Sequence, residues 1–561
     1  MFSLTAAIAC RRQQTDFVTV ALPESFSTLD TLTSTASDSA AERVRNLMFN
    51  SLVKKNEAFD YVGELAKEIN TSPDGLVVTF VLRDDVKFHN GKEFTSADVK
   101  YTFDKLFESK GYKSGAYFDT VPDGPASKST PTPMPTADSP LPANGNAGNA
   151  KGVSQNNSET NANANATPAN TAAAPPAKTK QVPHILSLQT PDPRTVVIIV
   201  ARPALKNQLL SNLVATPIIP EGTAEQQKSQ PVGSGPFKFV AFDQSQNVVE
   251  LAANMDYFDG APKIAKLRIK TVTDASALQA ELQTGGVDIA PAPSNLPPDA
   301  IKTMQAMSNL KIEQFEGSNI QYLGFNTQSP PLNNAKVRQA IGYAIDREKI
   351  IRELLSGQAK IAQSILPEAS WAYATGTQYR YDQEKARQLL QESGYKNAPV
   401  KFKYAAGNAA FGQYAQAIQN SLSEIGLNIQ IEQLDPGTLR QQLAQGQFQI
   451  NTGVWIGGNQ DPIFLRDLFT TGKIPGPNVN CCNRSRYSNP EVDRILEDAV
   501  NEPDREKAKQ LYVQAWQIIS SELPLYPLWY PANMVISTKR IGNVKISPSG
   551  DWGFLKDVTA D

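Results

Sequence analysis

The chain has 561 residues, 54 Lys and Arg against 56 Asp and Glu, and a formal net charge of -2. It is too long for one core and must divide into two or more domains, and its near-balanced charge gives no general electrostatic reason to bind nucleic acid or an anionic bilayer. No apolar run of about 18 residues offers a membrane-spanning helix, and three cysteines with two histidines are too few for a zinc site, so neither a metal nor another cofactor is expected.

The chain opens MFSLTAAIAC, an apolar run with small Ala9 before Cys10 and then Arg11 and Arg12. This resembles the end of a lipoprotein signal, with Cys10 as the lipid attachment and residues 1–16 as leader and tether. It departs from the pattern in having no basic residue before Cys10 and Ala7 where Leu is usual. A strand at 17–20 leads into a Ser/Thr-rich connection over 22–39 and a helix that turns Val44, Leu47 and Met48 inward. Residues 76–82 read as an apolar strand, Asn90 and Gly91 as a tight turn, and Thr95 with Asp98 as a capping box for a helix burying Val99, Thr102, Phe103 and Leu106. His89, at the turn, has no flanking carboxylate, Ser or Cys in catalytic form and reads as a structural hydrogen-bonding group.

Between 121 and 182 the composition shifts to Pro, Ala, Asn, Thr, Ser and Gly with almost no large apolar side chain. Such a segment cannot form a core and is expected as a disordered insertion. The β-branched run 195–200 resumes ordered chain as a strand. Gly233, Gly235 and Pro236 shape a turn before a strand at 237–242, with 248–251 as its antiparallel partner. The G-S-G here is no phosphate loop, because neither a Lys-Ser/Thr pair nor a helix start follows. A strand over 264–271 and a helix over 275–283 lead to Gly285, Gly286, Val287 and Asp288.

Residues 321–326 put Tyr322, Leu323 and Phe325 in a buried strand that Pro330 and Pro331 stop. Asn333 or Asn334 caps the next helix, with Val337, Ile341, Ala344 and Ile345 on one face, and Asp346 starts another turn. Helices over 383–393 and around Ala415 to Ile425, then the alternating strand Leu427, Ile429, Ile431, describe an α/β lobe with a covered sheet. In FQINTGVWIGGNQDPIFL (448–465), Gly453, Gly457 and Gly458 let backbone approach a ligand, Trp455 offers a flat apolar wall, and Asn459 and Asp461 offer polar groups. Asn489 caps a helix with Pro490 at its first position, a longer helix covers 504–521, and a strand over 525–535 returns the chain. The adjacent Cys481 and Cys482 are expected as two thiols or a labile vicinal disulfide, since neighbouring α-carbons about 3.8 Å apart are closer than a relaxed bridge prefers.

Three stretches carry a more specific wording: FHNGKEFTSADV near His89, PVGSGPFKF near Gly235, and NIQYLGFNTQSPPLNNAKVRQAIGYAIDREKII over 319–351, with L-x-x-G-x-x-D ending at Asp288. Together they resemble family 5 of the extracytoplasmic solute-binding proteins, which feed ABC importers for oligopeptides, dipeptides, nickel chelates and some sugars. The resemblance implies an α/β fold of two lobes joined by crossing strands, with a ligand cleft between them. Lobe I would comprise 17–268 and 531–561, interrupted by the insertion 121–182, and lobe II 269–530. It implies a monomeric extracytoplasmic protein, held to the membrane only through Cys10, that hands a peptide or another small solute to permease subunits. A sugar, an opine or a metal chelate as the solute, and a sensor or chaperone without transport, stay open as alternatives. An enzyme is not expected: there is no nucleophile elbow, triad histidine, metal-ligand spacing or dinucleotide fingerprint.

As cleft residues the resemblance implies Tyr322, the first-loop residues Glu24, Ser25 and Phe26, and the segment from Trp455 through Gly457, Gly458, Asn459 and Asp461. Peptide binders of the family carry an acid three positions after this Trp, which pairs with the peptide's α-amino group. Gly458 stands there, so a charged peptide end would need another acid, with Asp461 nearest and Glu24 a distant second. A solvated spacer at the insertion yields the first prediction. Deleting residues 124–180 leaves melting temperature and ligand binding nearly unchanged; a large loss of either would mean that the segment packs.

Overall fold

The computed structural model describes residues 17–30, 32–35, 38–122, 179–457, 460–476, 479 and 482–561. The leader with Cys10 and all but the ends of the low-complexity insertion lie outside the described residues. Residues 120–181 separate as a unit of their own, and of it only 120–122 and 179–181 are described, all extended.

The rest of the chain forms two α/β lobes. The first is built on a seven-stranded sheet in the order Phe237–Asp243, Val248–Ala253, Lys266–Thr271, Val18–Leu22, Ile289–Pro291, Asn533–Thr538, Leu310–Phe315. Val18–Leu22 runs parallel to both its neighbours and is buried at every position, as a strand covered on both faces must be. One face packs on a four-stranded antiparallel sheet and the helix Ser96–Ser109, where Val20, Leu267, Phe80, Ile198 and Phe103 share a core. The four-stranded sheet is half-buried, with alternate residues of Val77–Leu82 and Thr195–Val200 pointing inward. The other face of the large sheet is covered by Ala275–Thr284 and Pro298–Met304 through Leu278, Leu282 and Ile301.

The second lobe centres on a six-stranded mixed sheet in the order Ala359–Ile361, Leu525–Pro531, Ile320–Phe325, Ile450–Trp455, Val400–Ala405, Ile429–Leu434. Ala335–Ala344 and Ala409–Glu424 cover one face, and Ile463–Phe469, Pro490–Asn501 and Arg505–Glu522 the other. Asn334 caps its helix by accepting the Lys336 N–H at 2.9 Å, and Asn489 caps the helix that Pro490 opens.

The lobe boundary differs from the sequence expectation of 268/269. Lys266–Thr271 does not cross; it pairs residue for residue with Val18–Leu22, and Ile289–Pro291 and Leu310–Phe315 join the same sheet. The buried first strand needs hydrogen-bonded neighbours on both edges, and these segments supply them or extend the sheet beyond them. The chain crosses instead between Phe315 and Ile320. It returns at Ala532, so the expected strand 525–535 is two strands, one in each sheet. At the crossing Gly317 lies so close to the returning segment that a Cβ there would stand 1.9 Å from the Pro531 carbonyl oxygen.

Asp288 fixes the first lobe at the point where three distant segments meet. Its carboxylate accepts the Thr19 N–H at 2.8 Å and both Nε and Nη2 of Arg540 at 2.7 and 2.8 Å, while Arg540 also reaches the Phe17 carbonyl at 2.8 Å. Removing one charge of a largely buried pair strands the other. Asp288→Asn is therefore expected to lower the unfolding free energy by roughly 3 kcal/mol in denaturant titrations; a loss below about 1 kcal/mol would mark the pair as solvent-screened.

His89 takes the structural role expected of it. Its Nδ1 accepts the Gly233 N–H at 3.3 Å and its Nε2–H donates to the Gly235 carbonyl at 3.0 Å, which uses both ring nitrogens of the neutral tautomer. The two glycines let this turn lie against Met48, whose backbone a Cβ at either position would strike. Burial pulls the imidazole down to about 4 from 6.5. Because the folded state holds the neutral ring, the stabilisation is complete above pH 6.5 and disappears as the pH falls toward 4, a difference of about 3 kcal/mol. The stability gap between wild type and His89→Gln should accordingly shrink from pH 7 to pH 4, and a gap independent of pH would exclude this titration.

Candidate functional site at the lobe interface

Ile450–Trp455 is a central strand of the second lobe, and Trp455 ends it opposite Ile320, beside the crossing. Tyr322 stacks on Trp455 at 6.0 Å between ring centroids, Phe464 meets it edge-on at 5.1 Å, and the Arg484 guanidinium lies 5.4 Å from its ring centre. The indole Nε1 is buried and has no hydrogen-bond partner among the described residues. Ile456 follows, 57% exposed. Gly457 takes a left-handed φ of 72° and donates its N–H to the Asn319 side chain at 3.3 Å. Gly458 and Asn459 lie outside the described residues.

Gln460 and Asp461 turn toward the first lobe. Gln460 donates to the Ser318 hydroxyl at 3.1 Å and accepts from Lys55 Nζ at 3.3 Å. Asp461 Oδ1 accepts the Ile463 N–H at 2.9 Å, and Oδ2 accepts the Tyr61 hydroxyl. Lys55 and Tyr61 flank the tip of a first-lobe hairpin formed by Val53–Lys55 and Tyr61–Gly63. At that tip Phe59 holds a φ of 61° and is 5% exposed, and Asp60 pairs with Arg505 of the second lobe at 2.5 Å. Burial raises the Tyr61 hydroxyl well above its usual range, and the Asp461 charge adds to that. Burial lowers the Lys55 ammonium, and Asp461 opposes the effect. A cavity of about 280 Å³ lies where Phe59 meets Gly317 and Ser318 of the crossing and Lys360, Glu368 and Tyr530 of the second lobe.

Of the sequence-derived candidates, Tyr322, Trp455, Gly457 and Asp461 are thus brought to one place. Glu24, Ser25 and Phe26 have other surroundings: Glu24 faces Ser39 and Arg43 at 3.3 and 4.0 Å, Phe26 stacks on Phe242 at 5.2 Å, and Ser25 is exposed. Sequence reasoning missed Lys55, Tyr61, Gln460 and Ser318. Only the hairpin could have announced the first two, through the Asn56 side chain that accepts from both Ala58 and Asp60 N–H at 2.9 Å. Cys482 is disulfide-bonded, and the other two cysteines, Cys10 and Cys481, lie outside the described residues.

What this arrangement offers is a set of recognition groups: a flat aromatic wall, carboxylates, ammonium and guanidinium groups and hydroxyls, drawn from both lobes. Relatives share the chain almost end to end. Heme-binding protein A of Haemophilus influenzae is 27% identical over 96% of this chain and 91% of its own length, and oligopeptide-binding protein AppA of Bacillus subtilis is 26% identical over 92% and 87%. The solved structure of AppA with a nonapeptide superposes with a TM-score of 0.69 at 22% identity, covering 97% of this chain and 98% of that one. The ABC transporter substrate-binding protein CtaP of Listeria monocytogenes reaches a TM-score of 0.75 at 22% identity, covering 97% and 99%. Both have the two-lobe architecture found here. Residues 60–476 match the model of the bacterial extracellular solute-binding proteins, family 5, and the chain belongs to that family.

Proposed function

We propose that the protein is the substrate-binding component of an ABC importer, that it closes its two lobes on a peptide, and that it presents the closed form to the permease subunits. The observation that carries the reading is the contact of Asp461, at the strand end marked by Trp455, with Tyr61 across the lobe boundary. A binding group on one lobe that engages the other couples occupancy to closure, which a permease can recognise. Peptides rank first as ligand because AppA is described with a nonapeptide and carries an oligopeptide-binding name. The glycine at Gly457 and the broad wall of Trp455 and Tyr322 also suit an extended backbone better than a compact polar solute. The location is extracytoplasmic, the working form is a monomer, and Cys10 is the lipid attachment.

Calorimetry with a library of short peptides, hemin, sugars and nickel chelates tests this. One ligand per chain is expected, and a peptide held at about a hundred times its dissociation constant should stabilise the fold by roughly 2.7 kcal/mol. Trp455→Ala should weaken that peptide by about tenfold or more, as loss of a central aromatic anchor does. Chemical turnover of a library member would overturn the binding-protein reading, and stabilisation by hemin or a chelate with no peptide response would overturn the choice of ligand.

A further inference from the structure

The cavity of about 280 Å³ beside the crossing is walled by both lobes and by both segments that join them. Phe59 comes from the first-lobe hairpin, Gly317 and Ala532 from the outgoing and returning segments, and Lys360, Glu368 and Tyr530 from the second lobe. That volume falls just short of the range that encloses a drug-sized ligand, so it suits one side chain or one small molecule. Phe59 and Tyr530 give it aromatic walls, and Tyr530 presents its ring alone, because its O–H donates to the Ser364 and Leu366 carbonyls at 2.7 and 2.6 Å. The charged lining residues are Glu316, Glu368 and Lys360. Lys360 and Glu368 pair with each other at 2.6 Å. Glu316 is exposed, and its carboxylate has no ion pair at 4 Å or less among the described residues. The Lys360 ammonium is raised first by its hydrogen bond to Glu368, and the Glu316 charge adds to that, so both acids lie near one base. The lining is left with one unneutralised negative charge beside aromatic and aliphatic surface.

We propose that this cavity is a binding site for an organic cation, an ammonium or guanidinium on an apolar stem, with Glu316 as the charge partner and Phe59 and Tyr530 as walls for the stem. A cation near aromatic faces and a carboxylate is attracted by both, whereas an anion of the same size meets an unneutralised like charge. Two sources share this chemistry: a free amine or guanidine of low mass, and a Lys or Arg side chain of a ligand lying along the lobe boundary. The site is separate from Trp455. Lys360 and Tyr530 come from the two strands on one side of Ile320–Phe325, and Trp455 from the strand on the other, so the proposal does not depend on the peptide reading. Since the walls come from both lobes, an occupant favours the arrangement of the lobes described here over any that parts them.

Calorimetry with n-butylguanidinium and n-butylammonium, against 1-pentanol as the uncharged probe, tests the cavity without a peptide. Wild type is expected to bind one cation per chain and to ignore the alcohol. Glu316→Gln, at an exposed position, should keep the melting temperature and weaken the cation by about tenfold or more. Ala369→Phe places a ring in the cavity from an exposed lining position and should remove binding while leaving Glu316 in place. A second arm compares peptides that carry Arg with the same peptides carrying citrulline, its uncharged isostere, on wild type and Glu316→Gln. Binding of the free cations shows that a small molecule suffices; an Arg advantage that Glu316→Gln removes, without free-cation binding, identifies a ligand side chain as the source. Cations bound equally by wild type and Glu316→Gln, or no free-cation binding together with Arg and citrulline peptides bound alike, overturn the proposal. If no peptide binds at all, the peptide reading fails, and the free-cation arm alone decides, its failure overturning the proposal as well.

Discussion

The Asp288–Arg540 pair is the constraint on which the rest of the architecture depends. The first lobe is assembled from segments at the start, middle and end of the chain, and this one carboxylate holds the backbone of Thr19 while its partner guanidinium holds Phe17. Both crossings to the second lobe branch from strands of the same sheet, Leu310–Phe315 and Asn533–Thr538, which pair with each other over their full length. An error of register at Asp288 would therefore shift the two exits together, and with them Ser318 and Asn319, which position Gln460 and Gly457. The candidate site residues inherit their placement from a salt bridge in the other lobe.

The interface chemistry is a matter of desolvation set against pairing. Lys55, Tyr61 and Asp461 would each be costly to bury alone, and together they cancel much of that cost without involving a ligand. The hairpin that brings two of them is short and carries a residue, Phe59, in a left-handed conformation that aromatic side chains rarely adopt. Such local cost persists where surrounding contacts impose it, and here the tip is held on one side by Asn56 and on the other by Arg505.

Local features were legible in the sequence because their causes are local. Thr95 and Asp98 form the reciprocal cap that their spacing predicts, and Asn334, Asp346, Asn489 and Asp504 each cap the helix they precede. The strands over 77–82 and 195–200 are likewise visible as apolar, β-branched runs. Which residues face inward is not visible, since Val81 and Ile199 on the outer face are as apolar as their neighbours. The boundary between lobes was not legible, because a strand carries no mark of which sheet it joins: Leu267 and Ile269 would suit either, and only pairing with Val18–Leu22 decides. Of the candidate site, Trp455, Gly457, Tyr322 and Asp461 were singled out by the family resemblance of the stretches that carry them, helped by the company of glycines, a tryptophan and an acid in 448–465. Tyr61 stands 400 positions before its partner Asp461, and nothing in the residues around it points across that distance.

The two crossing segments touch at Gly317, where the Pro531 carbonyl occupies the space a side chain would fill. Two tethers in contact at their midpoints cannot twist independently, since rotating one about its own axis drives it into the other. What remains easy is bending both in the same sense, so the pair behaves as the pin of a door and not as a ball joint. If the lobes open as the proposed function requires, such a hinge would carry the hairpin away from Asp461 along a single arc and bring Tyr61 back to the same carboxylate without a search over orientations.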